Sequence, residues 1–435
     1  MNSGIKLWNK AKKIIPGGNM LLSKRSEMFL PNYWPSYYSK AKGCYVWDLD
    51  GNKYLDMSIM GIGTNTLGYS HPEVDEQVLK AVQSGNMSTF NCSEEVQLAE
   101  KLVEIHPWSK MVRFARSGGE ANAIAIRIAR AASGKEKVAI CGYHGWHDWY
   151  LAANVNDEDA LQGHLLPGLD PTGVPKALKD TTFTFRYNDF EGLLRLVQEH
   201  DIGVVKMEVV RNSGPTNDFL KKVRRLCNDK NIVLVFDECT SGFRENFGGI
   251  HKNYEVEPDM CVFGKALGNG YALTAVIGKD EVMSYAQNTF ISSTFWTEKI
   301  GPTAALATLN VMERDSTWEI TSQVGLKLQK GWLDLAASHS LDISINGIPS
   351  ISSFNINSHH NLIYKTYITQ EMLKKGILAS NLIFTCIDHD DGVLSPYFTE
   401  LDTIFQKIQF CEAGNLCPSE LLDGEVCHDG FKRLN

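Results

Sequence analysis

The stretches IVLVFDE at 232–238 and MCVFGK at 260–265 decide how this chain folds. Each opens as a short run that is apolar at every position, so both faces must be covered. Each then ends in residues that apolar burial cannot accommodate by itself: Asp237 and Glu238 in the first, Gly264 and Lys265 in the second. Similar runs stand at 138–141, 204–207 and 275–277, with helical stretches such as 218–229 between them. Doubly buried strands alternating with helices predict a parallel sheet covered on both sides. Ligands of such open sheets bind beyond the carboxyl ends of the strands. The residues that follow the runs are therefore the candidates for chemistry: Gly142-Tyr143-His144-Gly145, Glu208, Asp237-Glu238 and Gly264-Lys265.

Working outward, this rhythm defines a large α/β domain over 61–310. Residues 1–60 read as an N-terminal segment packing with a small C-terminal α+β domain at 311–435. In the first segment, helical spacing over 5–15 stops at Pro16-Gly17-Gly18, and 45–47 pairs with 53–55 across an Asp-Gly turn. Another helix is expected over 94–104. Beyond the large domain one long helix is expected over 303–335, then strands at 343–345 and 352–356, then helices near 366–375 and 397–409.

The chain has 435 residues, which at roughly 150 per domain suggests two or three domains. Lys and Arg total 43 against 51 Asp and Glu, a net charge of -8, with 43% hydrophobic and 22% charged residues. That composition excludes a disordered or collagen-like chain, and the acidic balance argues against a nucleic-acid binder. No apolar run approaches the ~20 residues of a membrane-spanning helix. The N-terminus has no apolar core of a signal peptide, and the 10 cysteines form no Cys-x-x-Cys pair. Buried reduced thiols in a cytoplasmic protein are the expectation.

Four features carry chemistry. Lys265 follows a buried strand among glycines, where a poorly solvated amine can form a Schiff base; alternatively it is an ordinary turn lysine. Asp237 ends a buried strand, so it needs a cationic partner: a ring nitrogen, or an internal one such as Arg244. Ser117 can cap the helix that opens at Gly118-Gly119-Glu120, leaving backbone N–H groups and a positive dipole end for an anion. Tyr143 could stack on a planar cofactor or pack in the core. His144, His147 and Asp148 have poor metal spacing, so no metal site is expected. The glycine-rich segment 264–270 lacks the order of a nucleotide-binding P-loop.

In this order and spacing, the residues resemble the class III aminotransferases of pyridoxal-phosphate fold type I. The markers are 114–121, Tyr143-His144-Gly145, Glu208, Phe236-Asp237-Glu238 with Gly242-Phe243-Arg244, and Phe263-Gly264-Lys265. The branch of glutamate-1-semialdehyde 2,1-aminomutase and its aminotransferase-like relatives is the nearest in pattern, over about 10–320. The resemblance implies a large domain with a mostly parallel sheet plus a smaller α+β domain, and pyridoxal 5'-phosphate as cofactor. It implies that Lys265 forms the Schiff base and shuttles protons, and that Asp237 holds the pyridine nitrogen. Ser117, Gly118 and Gly119 would hold the phosphate, Tyr143 and Cys239 would cover the two ring faces, and His144 and Glu208 would line the site. Thr297, with Thr294 as rival, would reach the phosphate of a second subunit in a homodimer with shared sites. Gly119 stands where the family usually has threonine, and the turn 143–149 is more aromatic than in the aminomutase. These departures suggest another substrate, such as an amino-sugar or polysaccharide precursor. The reaction implied is amino transfer from a small-molecule donor to a carbonyl acceptor, or intramolecular transfer as in the aminomutase; a non-catalytic binding protein of the same fold is the third reading. Arg25, Arg116 and Arg211 are candidates for a substrate carboxylate.

Overall fold

The computed structural model describes residues 2–164, 168–210, 212–432 and 434. The chain divides into two compact units, Pro72–Trp318 and a second made of Met1–His71 with Glu319–Asn435.

The first unit is built on a seven-stranded sheet. Its strands are β1 (Met111–Ala115), β2 (Lys137–Cys141), β3 (Thr182–Thr184), β4 (Ile202–Glu208), β5 (Val233–Glu238), β6 (Met260–Phe263) and β7 (Thr274–Gly278). Their spatial order is β1-β7-β6-β5-β4-β2-β3. Strands β3, β2, β4, β5 and β6 run parallel to one another, as the apolar runs predict. Strand β7 is antiparallel to both β6 and β1. The reason is connection length: the short link from Phe263 to Thr274 is below the dozen or more residues a parallel crossover needs.

Helix α1 (Gly118–Ser133) lies against this sheet. Its start is fixed by a capping box, in which Ser117 and Glu120 each satisfy the other's backbone N–H, and Gly134 ends it at φ 66°. Ala121, Ile124, Ala125, Ile128 and Ala129 form one buried stripe at helical spacing, packed against sheet residues including Val204, Val235 and Val262. The alanines keep the helix close to the sheet, and its N-terminus stands at the sheet's carboxyl edge.

The second unit has its own core around Trp332, Tyr364, Phe354 and Tyr397. The hairpin expected at 45–55 forms, and strand Lys53–Met57 pairs in parallel with Ile377–Ala379, joining the N-terminal segment to the C-terminal one. The single helix expected over 303–335 is two, Ile300–Asp315 and Thr317–Ser338. Ser316 at φ 47° caps the first and turns the chain, which apolar spacing does not reveal. No helix among the described residues is long and apolar enough to cross a membrane.

Ile128 is fully buried between α1 and the sheet. Ile128→Ala should lower stability by about 2–5 kcal/mol, read by urea denaturation; a change near zero would place this stripe outside the core.

Candidate active site

The carboxyl ends of β2, β4, β5 and β6 converge. Parallel register sets Glu208 on β4 beside Asp237 on β5, and Asp237 beside Val262 on β6. Asp237 is 4% exposed, so its charge must be met inside the protein. His144 Nδ1 donates to Asp237 Oδ2 at 2.8 Å, and the Cys239 N–H donates to Oδ1 at 3.1 Å. The Lys206 ammonium stands 3.8 Å from Oδ2. Burial would raise the Asp237 carboxyl, but Lys206 and the His144 hydrogen bond outweigh it and hold it well below the usual carboxylate range. The internal cation beside Asp237 is thus Lys206. Arg244 instead donates its Nε to the Thr240 carbonyl at 2.6 Å.

Lys265 opens a single turn at φ 43°, just past β6. A side chain in the left-handed region is strained, and such strain gathers at functional sites. Its Nζ donates to Thr240 Oγ1 at 2.6 Å. Burial pushes the Lys265 ammonium below the ordinary lysine value. Burial raises the Cys239 thiol well above its usual value, so it stays protonated. Cys239 also lies across from Gly118, where an added Cβ would sit 3.6 Å from Sγ.

At the start of α1 the capping box occupies the Ser117 and Glu120 N–H groups. The Gly118 and Gly119 N–H groups have no acceptor among the described residues and stand at the positive end of the helix dipole. His147 crowds this corner: a Cβ on Gly119 would lie 2.8 Å from its Cε1. Gly142, at φ 112°, is equally constrained, because a Cβ there would meet Glu208 Oε2 at 2.3 Å. Glu208 accepts the Tyr143 N–H at 3.2 Å, and the Tyr143 ring, 37% exposed, stands edge-on to Tyr150.

The structure therefore brings Ser117, Gly118, Gly119, Tyr143, His144, Glu208, Asp237, Cys239 and Lys265 to one edge of one sheet. Thr297 and Thr294 lie in an exposed turn, where the Thr297 hydroxyl donates to the Thr294 carbonyl at 2.9 Å. Arg116 is spent locally: it pairs with Glu298 at 2.8 Å and donates to the Trp296 and Glu298 carbonyls. Arg25 donates to the Lys432 carbonyl at 3.0 Å, and Arg211 lies outside the described residues. Sequence reasoning missed Thr240 and Lys206. Lys206 had a signal, a charge inside an apolar run; Thr240 had none. Glu238, His251 and Cys261 place potential metal-ligating atoms within 4.8 Å of one another. Both His251 nitrogens are already used, by Glu238 at 2.6 Å and Trp108 at 3.0 Å, so the cluster reads as a hydrogen-bonded core network.

The family model "Aminotransferase class-III" matches residues 31–389. The 3-aminobutyryl-CoA aminotransferase of Cloacimonas acidaminovorans is 32% identical over 375 residues, covering 84% of this chain and 86% of that protein. The glutamate-1-semialdehyde 2,1-aminomutase of Methanothrix thermoacetophila is 33% identical over 361 residues, 81% of each. Among solved structures, the pyridoxal-phosphate form of FumI from Sphingopyxis sp. MTA144 superposes with a TM-score of 0.85 at 22% identity, covering 96% of this chain and 99% of that one. An omega-transaminase from Sphaerobacter thermophilus gives 0.83 at 22%, covering 93% and 97%.

A carboxyl held low in the folded state contributes stability above its unfolded value, near ~3.9, and loses it as pH falls through the folded value. In cofactor-free protein, the stability deficit of Asp237→Asn relative to wild type should therefore shrink as pH drops below about 4. Urea titrations from pH 7 to 3 read this, and a deficit constant across that range would contradict the ion pairing.

Proposed function

The chain belongs to the class III aminotransferase family and is a pyridoxal-phosphate-dependent enzyme, and we propose that Lys265 and Asp237 are the residues through which it works. The observation that carries this is their convergence: a strained, half-desolvated amine and an ionised buried carboxylate at the ends of adjacent parallel strands, beside a helix start with open N–H groups. The residues fit the cofactor. His147 Nδ1 at the helix start is buried with no hydrogen-bond partner among the described residues, as expected of a corner shaped for an anion.

When bound, the cofactor supplies an aldehyde and an electron-withdrawing ring. Gly118 and Gly119 would hold its phosphate through their N–H groups, and Ser117 fixes the helix that presents them. Asp237, kept ionised, would hold the ring nitrogen in its protonated form. His144 keeps Asp237 oriented. Tyr143 and Cys239 would flank the ring, and Glu208 braces the turn that carries Tyr143. Lys265 would hold the aldehyde carbon through Nζ, and as a free amine Nζ would accept the donor's α-proton and hand it on. Desolvation favours this by enlarging the neutral share of the amine.

The overall reaction proposed is amino transfer from a small-molecule donor to a carbonyl acceptor, with a keto-sugar precursor among the acceptors to screen. Intramolecular transfer is the second reading, favoured by the aminomutase relative; release of a keto product from a separate donor excludes it. A cytoplasmic setting belongs to the same proposal, supported by ten unpaired cysteines, seven of them buried.

We also propose a homodimer. Asn86 ties two segments together, accepting the Lys299 N–H on its carbonyl and the Ile300 N–H on Oδ1, each at 3.0 Å. Those segments present Phe90, Phe290 and Phe295 at 87%, 85% and 68% exposure, beside Thr297. Aromatic rings so exposed fit burial against a second copy of this chain.

Lys265→Ala should abolish the borohydride-fixed link between cofactor and protein, mapped by peptide mass, and lower kcat/KM by at least about 10²–10⁴-fold. A modified lysine elsewhere would overturn the assignment. Phe295→Asp should shift the species seen by light scattering from two copies towards one; a wild-type monomer would sink the dimer.

A further inference from the structure

The proposed mechanism leaves Lys206 without a role. It lies in the middle of β4, fully buried, and its Nζ donates no hydrogen bond among the described residues. An ammonium taken out of water without hydrogen bonds costs several kcal/mol, so it must be paired or discharged. The carboxylate within ion-pair distance is Asp237, 3.8 Å away.

The surroundings favour this pairing and supply little else. Side chains alternate along β4, so Lys206 and Glu208 share the face of Val204, which packs against Ala121, Ile124 and Ile128 of α1. The titratable groups that act on Lys206 are Asp237 on β5, Cys239 just beyond it, Cys261 on β6 and Glu208 on its own strand. Burial holds both thiols protonated. Glu208 is engaged by the Tyr143 N–H, and His144 occupies Asp237 Oδ2 from the β2 side.

We propose that Lys206 is the resident counter-ion of Asp237 and gives up its proton when a cationic ring nitrogen reaches that carboxylate. The inference rests on the assignment of Asp237 to the ring nitrogen. One buried carboxylate would otherwise face two full cations in a medium that screens them poorly. Lysine can relieve this by discharging, where arginine could not. The balance is simple: one N–H bond of the ammonium breaks, nitrogen keeps the electron pair, and the proton goes to solvent. The site exchanges one positive charge for another and keeps its total. Burial already lowers the Lys206 ammonium below the ordinary lysine value, which eases the release. Lys206 is thus a positioning residue. It balances the Asp237 charge in the empty pocket and makes cofactor capture a cation exchange.

The test counts protons. Pyridoxal phosphate is titrated calorimetrically into cofactor-free protein at pH 8, in buffers of different ionisation heat. In Lys206→Met the His144 and Cys239 hydrogen bonds still hold Asp237 ionised at pH 8, so wild type should release about one more proton per cofactor than this variant. Equal counts, with the borohydride-fixed link to Lys265 present in both proteins, overturn the proposal and leave the Lys265 and Asp237 assignments standing. Failure of wild type to bind the cofactor overturns those assignments first. Lys206→Gln is the replacement should the Met variant not fold. Wild type alone also decides the matter: in protein labelled at lysine ¹³Cε, two signals, from Lys265 and Lys206, should move when cofactor is added. A single moving signal overturns the proposal.

Discussion

Everything at this site depends on keeping one carboxylate ionised at the end of a buried strand. Asp237 closes β5, a strand with no exposed face, and there desolvation alone would protonate it. The protein prevents this from three directions: a histidine from the turn after β2, a lysine from β4, and a backbone N–H from the turn after β5 itself. Those contacts are possible only because adjacent parallel strands end at the same level. The parallel arrangement is therefore an electrostatic device as well as a way of burying apolar surface. Moving β4 by one residue relative to β5 would turn Lys206 to the opposite face and leave Asp237 with two of its three supports.

The glycines serve the same end by letting side chains occupy space next to the backbone. Gly142 leaves room for the Glu208 carboxylate, and Gly242, two residues past Thr240, leaves room for the Phe263 ring, whose Cδ1 would lie 2.6 Å from an added Cβ. Lys265 is the exception. It carries a full side chain at a positive φ, and the turn that strains it also places Nζ against Thr240.

Much of this was legible in the sequence. Apolar runs ending in Asp, Glu or Gly-Lys located the sheet, its direction and its working edge, because only buried strands tolerate such runs and only their ends tolerate such residues. The start of α1 was legible from Ser117 and the two glycines after it. Three things were not. The direction of β7 depends on a link too short for a crossover, and local pattern is blind to that. The break at Ser316 depends on one backbone angle. The partner of Lys206 is the third: its charge shows inside the apolar run, but periodicity registers where a side chain points and not what charge it meets. The fates of Arg25 and Arg116 were also beyond reach, because carbonyls from distant segments consume their donors.

Gly119 and His147 share one volume. The imidazole stands where a side chain at 119 would begin. A larger residue at 119 fits only if the ring at 147 swings away or is shortened, so each position sets what the other can hold. The effects of substitutions at the two are therefore coupled, and what a change at 119 does depends on which residue stands at 147.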